Sequence, residues 1–299
     1  MNFALSIGKD GRCLIVKKGA KMNEKLQFYI IKADAYIKNM IFSLSPLYKE
    51  DFASGQDVTV PLFTVLHSYS ESVLVLLQNG GLFEADIILR CTMEGTIRYC
   101  YLMTGTEDER KEKYTEYRVI MPELDRLNDH RKAQEAITIL KQFTGNNTKP
   151  FESMLLSDEE VDQIKNQYTR SFKNLIKNKW TYQSLLKALA SNHTEYEAQL
   201  GSLSTYALTS HYCHLDYTGL NDLKMQFAAS VHDNNIISDY AHALRIIANI
   251  LSFYVFRVLE YMRCNDYYPE NIKQLCLEII QYEQELNSEL NAIIDTNLN

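Results

Sequence analysis

The chain has 299 residues, enough for one large domain or two small ones with a real core. Its 11 glycines and 5 prolines are roughly 5% of the chain against an average of about 12%, which argues against an all-β chain, a glycine-rich nucleotide-binding loop and a disordered chain. With 31 basic and 38 acidic residues the formal charge is −7, and the 46% apolar and 23% charged contents are ordinary globular values.

In chain order, residues 3–7 and 12–16 are short β-prone runs around Lys9, Asp10 and Gly11, a turn signal that predicts a small N-terminal hairpin. Everything after Gly19 has helical spacing. Helices are predicted over 22–44, 57–78 and 82–103, the last two separated by Gly80 and Gly81. A long polar helix follows over about 107–143, with Pro122 as a kink or break. Ser157 and Glu160 form a capping box that opens a helix to about 179. Further helices are predicted near 181–191 and 194–211, then a less regular stretch to about 234. Two long helices over about 236–263 and 270–294 finish the chain. The expected fold is all-α, an irregular multi-helix bundle with that small hairpin. It is divided into 1–19 as the hairpin, 20–264 as a helical domain, and 265–299 as an acidic helix packed on it.

The charge is uneven. Residues 265–299 carry seven acids and one base, whereas 165–187 carry six bases and no acid. The six cysteines form no CxxC pair and lie mostly among apolar residues, as thiols of a reducing compartment do. The N-terminus lacks the order of a signal peptide. The longest apolar stretch, between Arg245 and Arg257, falls short of the ~20 residues of a spanning helix. The expectation is a soluble, cytoplasmic protein without membrane contact.

Polar residues recur where core helices should be apolar. Asp86, Arg90, Glu94 and Arg98 stand four apart with alternating sign on an otherwise apolar helix. The preceding helix carries His67 and Glu71, again four apart. In an antiparallel hairpin about Gly80 and Gly81, residues equidistant from the turn face each other, which predicts buried Glu71–Arg90 and His67–Glu94 contacts. Helix 236–263 repeats the theme with His242, Arg245, Asn249 and Ser252 on one face. Ser210, His211, Cys213, His214 and Asp216 crowd seven residues. Their chemistry fits a metal ligand set, a general acid or base at His214 oriented by Asp216 or Glu94, or a Ser210 nucleophile four residues before His214. No metalloprotease, nucleophile-elbow or phosphate-loop motif accompanies them. His232 and Asp233 form an isolated HD dipeptide. On 165–187, Arg170, Lys173 and Lys177 share one helical face, and Trp180 and Tyr182 follow, a combination that suits phosphate and base contacts.

Arg90 and Glu94 on a helix after a glycine turn, Trp180 ahead of a helix, then Tyr206, Ser210 and His214, together resemble a bacterial family of helical proteins known only as a domain of unknown function. The resemblance spans roughly 60–260. It implies an all-helical fold, and chains of this kind accompany phage-defence and toxin–antitoxin loci. Helical toxin ribonucleases of the HEPN type have four to six residues between an Arg and the following His on one helix. Arg126 and His130 have only three residues between them and depart from that pattern.

The sequence therefore points to a cytoplasmic effector acting on nucleic acid or a nucleotide, as a hydrolase or nuclease of phosphate esters if it is an enzyme. The catalytic candidates are His214, Glu94, Ser210 and Asp216. The binding candidates are Arg90, Glu71, Arg245, His242, Arg170, Lys173 and Lys177. No metal site is assigned and no cofactor is named. The competing reading is a non-catalytic interaction protein whose polar seam is structural and whose partner is a second copy or another protein.

Overall fold

A computed structural model describes residues 20–53, 58–143, 148–230 and 235–298. The expected hairpin lies outside these residues, as do Cys13, His232 and Asp233. The described regular structure is helical, so the chain is all-α. It divides into two units, Met1–Met103 with Leu189–Asn299, and Thr104–Ala188.

The first unit is built on three core helices. α1 (Ala20–Ala53) runs past the predicted end at 44 with Pro46 in its interior. Pro46 and Phe42 are both exposed, so the carbonyl that loses its donor faces water. α2 (Thr59–Gln78) ends as predicted at the glycine pair. Gly80 has φ 79°; the N–H of Gly81 bonds Leu76 O at 2.8 Å and that of Gly80 bonds Leu77 O at 3.1 Å, a Schellman stop that only a glycine accommodates without strain. α3 (Leu82–Met103) then folds back on α2. The register is the predicted one, since Gly95 faces Leu66 so closely that a Cβ would come within 2.4 Å of Leu66 Cδ2.

Five further α-helices belong to the second unit, and one more crosses into the first. α4 (Glu107–Thr115) opens with a Thr106–Glu109 capping box. It joins α5 (Met121–Phe143) through a π turn over Glu116–Ile120. That widened turn ends two residues before Pro122, where a kink or break was expected, and the polar helix continues through it. After α6 (Lys149–Glu152), the Ser157–Glu160 capping box opens α7 (Asp158–Gln167) as predicted. The single helix expected to 179 is instead two. Tyr168 is extended at ψ 110°, and Thr169 caps α8 (Arg170–Lys179) by accepting the N–H of Phe172. α9 (Tyr182–Asn192) follows. Glu116, presented by the π turn, accepts Trp180 Nε1 at 2.9 Å and Lys179 Nζ at 2.7 Å. His130 is buried and accepts the Leu156 N–H at 2.9 Å, and Arg126 pairs with Glu160. The Arg126–His130 spacing thus serves the scaffold of this unit.

A 3₁₀ segment over Thr194–Gly201 leads to α10 (Ser202–His214). The stretch expected to be irregular is α11 (Tyr217–Ser230). α12 (Asn235–Cys264) and α13 (Glu270–Leu298) close the first unit. α12 packs on α1, α2, α3 and α13, and the acidic α13 also lies on α1. By length and composition, α2 and 237–264 of α12 are both apolar enough to cross a membrane, beyond what the sequence reading allowed. In α12 that apolar surface goes into the core, with Leu244, Ile247, Ile250, Leu251 and Phe253 fully enclosed.

Burial raises the Glu283 carboxyl on α13 from 4.5 to about 7. A carboxyl that binds its proton more tightly when folded favours the fold at low pH, and that contribution is lost as pH rises through about 7. Glu283→Gln should therefore melt above wild type at pH 8 and together with it near pH 4. Equal melting curves at both pH values would show that the carboxyl is hydrated in the fold.

Candidate functional site

The charged stripe of α3 lies one residue out of step with the stripe that contacts α2. Leu89, Thr92, Thr96 and Tyr99 are fully enclosed, and Tyr99 packs against Phe63 of α2 at 5.7 Å. One residue is about 100° of helix, so Asp86, Arg90 and Glu94 turn away from α2 towards α10 and α12. The predicted Glu71–Arg90 and His67–Glu94 contacts are therefore absent although the register is right. Glu71 Oε2 instead lies 3.5 Å from Nε2 of His67 on its own helix. His67 Nδ1 is 3.0 Å from the Tyr254 hydroxyl of α12, and burial holds its imidazole below its ordinary pKa.

Each member of the stripe has a different environment. Asp86 is enclosed and its Oδ2 lies 2.8 Å from His242 Nε2 of α12. Arg90, half-buried, donates from Nη2 to the Tyr206 hydroxyl of α10 at 3.2 Å, and its guanidinium carbon sits 4.8 Å from the Tyr206 ring centre. The Tyr206 hydroxyl in turn donates to Glu94 at 3.3 Å, and Glu94 accepts from Arg98 at 3.2 Å. Arg90, Tyr206, Glu94 and Arg98 thus form one connected chain. The enclosed Nε atoms of both arginines have no hydrogen-bond partner.

On α10, Tyr206, Ser210 and Cys213 recur at i, i+4 and i+7, one helical face. Because Tyr206 meets Arg90, Ser210 and Cys213 share the face turned to α3. His214 ends that helix, exposed. Asp216 does not orient it. Its Oδ2 is 2.6 Å from His211 Nδ1 and its Oδ1 accepts the Gly219 N–H at 3.1 Å. These bonds, His211 first, hold the Asp216 carboxyl below the usual carboxylate range. Asp216 is the N-cap of α11, after Leu215 turns the chain at φ 48°. The corner is tight enough that a Cβ on Gly219 would come within 2.5 Å of His211 O. The His–Asp spacing therefore builds a helix corner, and the described residues contain no cluster suited to a metal.

Of the remaining candidates, Arg245 is exposed on α12, and Arg170 and Lys177 are exposed and Lys173 half-buried on α8. Sequence reasoning missed the most enclosed ions. Arg257 of α12 is 0% exposed; it donates to Thr96 at 2.9 Å and Ser70 at 3.0 Å, with its guanidinium 4.7 Å from the Tyr254 ring centre. Glu260, also enclosed, accepts the Tyr196 hydroxyl at 2.7 Å, and burial pushes its carboxyl up. The signal was present as two ions three apart in an apolar helix.

These features define an all-helical protein with a half-buried, cation-rich cluster where α3 meets α10. The model of a family of unknown function (DUF5677) matches residues 56–228, more than half of the chain, and the chain belongs to that family. The matched segment contains Arg90, Glu94, Arg98, Tyr206 and Ser210, and excludes α12 and α13. No curated protein and no solved structure matches the chain.

Because Glu71 and Arg90 share no contact, their substitutions should act independently. The stability losses of Glu71→Gln and Arg90→Gln are expected to add to within about 0.5 kcal/mol in the double variant. A larger coupling in urea melts would show that the two side chains meet.

Proposed function

We propose that this protein is an effector that binds a phosphate ester, a nucleotide or nucleic acid, at Arg90. The observation that carries the reading is the charge inside the linked chain: it holds two guanidinium groups, Arg90 and Arg98, and one carboxylate, Glu94, which pairs with Arg98. Arg90 forms no ion pair among the described residues. A half-buried cation without a counter-ion is costly unless an anion completes it, and a guanidinium matches phosphate bidentately. Tyr206 stacks on that guanidinium and bonds it, which fixes its plane before a ligand arrives. Ser210 lines the same face. His214 stands four residues further along α10, the group for proton transfer at a bound ester. Thiols at Cys91, Cys100, Cys213 and Cys276 suit a reducing cytoplasm.

A second reading, a non-catalytic binding protein, is favoured by one observation: neither His214 nor Arg245 makes a contact with the Arg90 cluster.

The test uses ATP and inorganic pyrophosphate as probes in thermal melts, alongside growth of cells expressing each variant. Both probes should raise the melting temperature of wild type and leave Arg90→Gln unmoved, with Tyr206→Phe in between as a variant that keeps the ring. Growth arrest by wild type that is lost in both Arg90→Gln and His214→Ala supports catalysis. Arrest retained by a folded His214→Ala supports binding alone. Equal stabilisation of wild type and Arg90→Gln, or none of either, overturns the Arg90 site.

A further inference from the structure

We infer that the second unit carries a separate docking face for the phosphodiester backbone of a nucleic acid, formed by Arg170, Lys173 and Lys177 on α8. Four exposed cations of this unit have acidic partners: Lys111 with Glu107 at 2.7 Å, Arg126 with Glu160 at 2.9 Å, Arg131 with Glu135 at 2.6 Å, and Lys132 with Asp129 at 3.9 Å. Lys141, Lys149 and Lys165 are exposed and form no ion pair among the described residues, but they stand singly; on α8 three cations without an ion pair gather on one helix. Residues 165–187 contain no acid, and Arg170, Lys173 and Lys177 form no ion pair among the described residues. The one α8 base drawn into the unit is Lys179, held by Glu116.

Helix geometry gathers the three charges. Positions i, i+3 and i+7 fall within about 60° of one another. The flank of α8 beside them is anchored by buried Ile176, by Phe172 stacked on Tyr168, and by the Thr169 cap. The stripe therefore sits on a helix that cannot easily roll. It extends about 10 Å along the axis, at 1.5 Å per residue, enough to meet roughly three phosphates of one strand at about 3.4 Å each. Asn174 and Asn178, both exposed beside the cations, add neutral donors for phosphate or sugar oxygens. Opposite charges along a helix would indicate a solvated, self-paired surface; three like charges without an acid raise the local potential and favour a polyanion. These residues belong to the second unit and act without Arg90, and their ligand is a polymer of phosphodiesters.

The experiment measures fluorescence anisotropy of a labelled 20-nucleotide single-stranded RNA, and of the same DNA sequence, between 50 and 300 mM salt. The full-length chain should bind, with affinity falling steeply as salt rises. The triple variant Arg170→Gln, Lys173→Gln, Lys177→Gln should lose at least ten-fold in affinity at low salt. Its log–log salt slope should be shallower by about 2, from ~0.7 per released contact on a single strand. The matched control Lys111→Gln, Arg131→Gln, Lys132→Gln removes the same charge from paired sites and should bind as wild type. Equal losses in both triple variants, or an α8 variant that binds like wild type, overturns the docking face. So does wild type that ignores both oligonucleotides while binding phosphatidylserine vesicles. Stabilisation of the α8 variant by ATP reports the Arg90 site alone, so failure of one surface is read separately from failure of the other.

Discussion

The core of the first unit depends on hiding one positive charge. Arg257 is fully enclosed, and its guanidinium donates to Ser70 of α2 and Thr96 of α3 while lying over the ring of Tyr254. Each of these groups is a weak partner alone. Together they bind three helices at fixed rotation, because a shift of any helix by one residue would strand a buried ion. The close approach of α2 and α3 at Leu66 and Gly95 follows from the same constraint: a larger residue at 95 would wedge apart the helices whose hydroxyls meet Arg257. An apolar core would pack at least as well, so the ion's contribution is to the choice of a single register.

Much of this was legible in the sequence, at the level where local chemistry decides. The glycine pair fixed the end of α2, the start of α3 and their register, and Ser157 with Glu160 marked the start of α7. Rotation was harder. Hydrophobic spacing shows that a helix has a buried side but cannot say which neighbour takes which sector of it when nearly the whole circumference is apolar. α3 is such a helix, and the Glu71–Arg90 pairing failed by about 100° of rotation with no error in register. The break at Tyr168 and Thr169 was missed because an apolar stripe runs through both halves. A threonine that bonds the backbone three residues on is a stop only when the residue before it turns extended. The Ser210–Asp216 segment shows the reverse: a cluster rich in reactive side chains is partly explained by an N-cap and a tight corner.

Tyr206 was visible through the resemblance to a helical family and not through any periodicity, and the structure shows why it matters. A phenol can both accept from a guanidinium and donate to a carboxylate while offering a face to stack upon. In that position it joins Arg90 to Glu94 without neutralising either. A carboxylate there would have closed the site electrostatically; an aliphatic residue would have left the guanidinium free to rotate.

The two arginines that α3 helps to hold therefore have opposite fates. Arg257 is sealed by hydroxyls and rings, and no solvent reaches it. Arg90 is half-open, held in one plane by a single phenol, and its positive charge is met by no acid of its own. The two seams fix different contacts: Arg257 joins α12 to α2 and α3, whereas Arg90 joins α3 to α10 through Tyr206. The second leaves a cation part-open, at a desolvation cost that a bound anion would offset. That distinction, between an ion enclosed by its own fold and an ion positioned but left uncompensated, is the physical ground for seeking the ligand of this family where α3 meets α10.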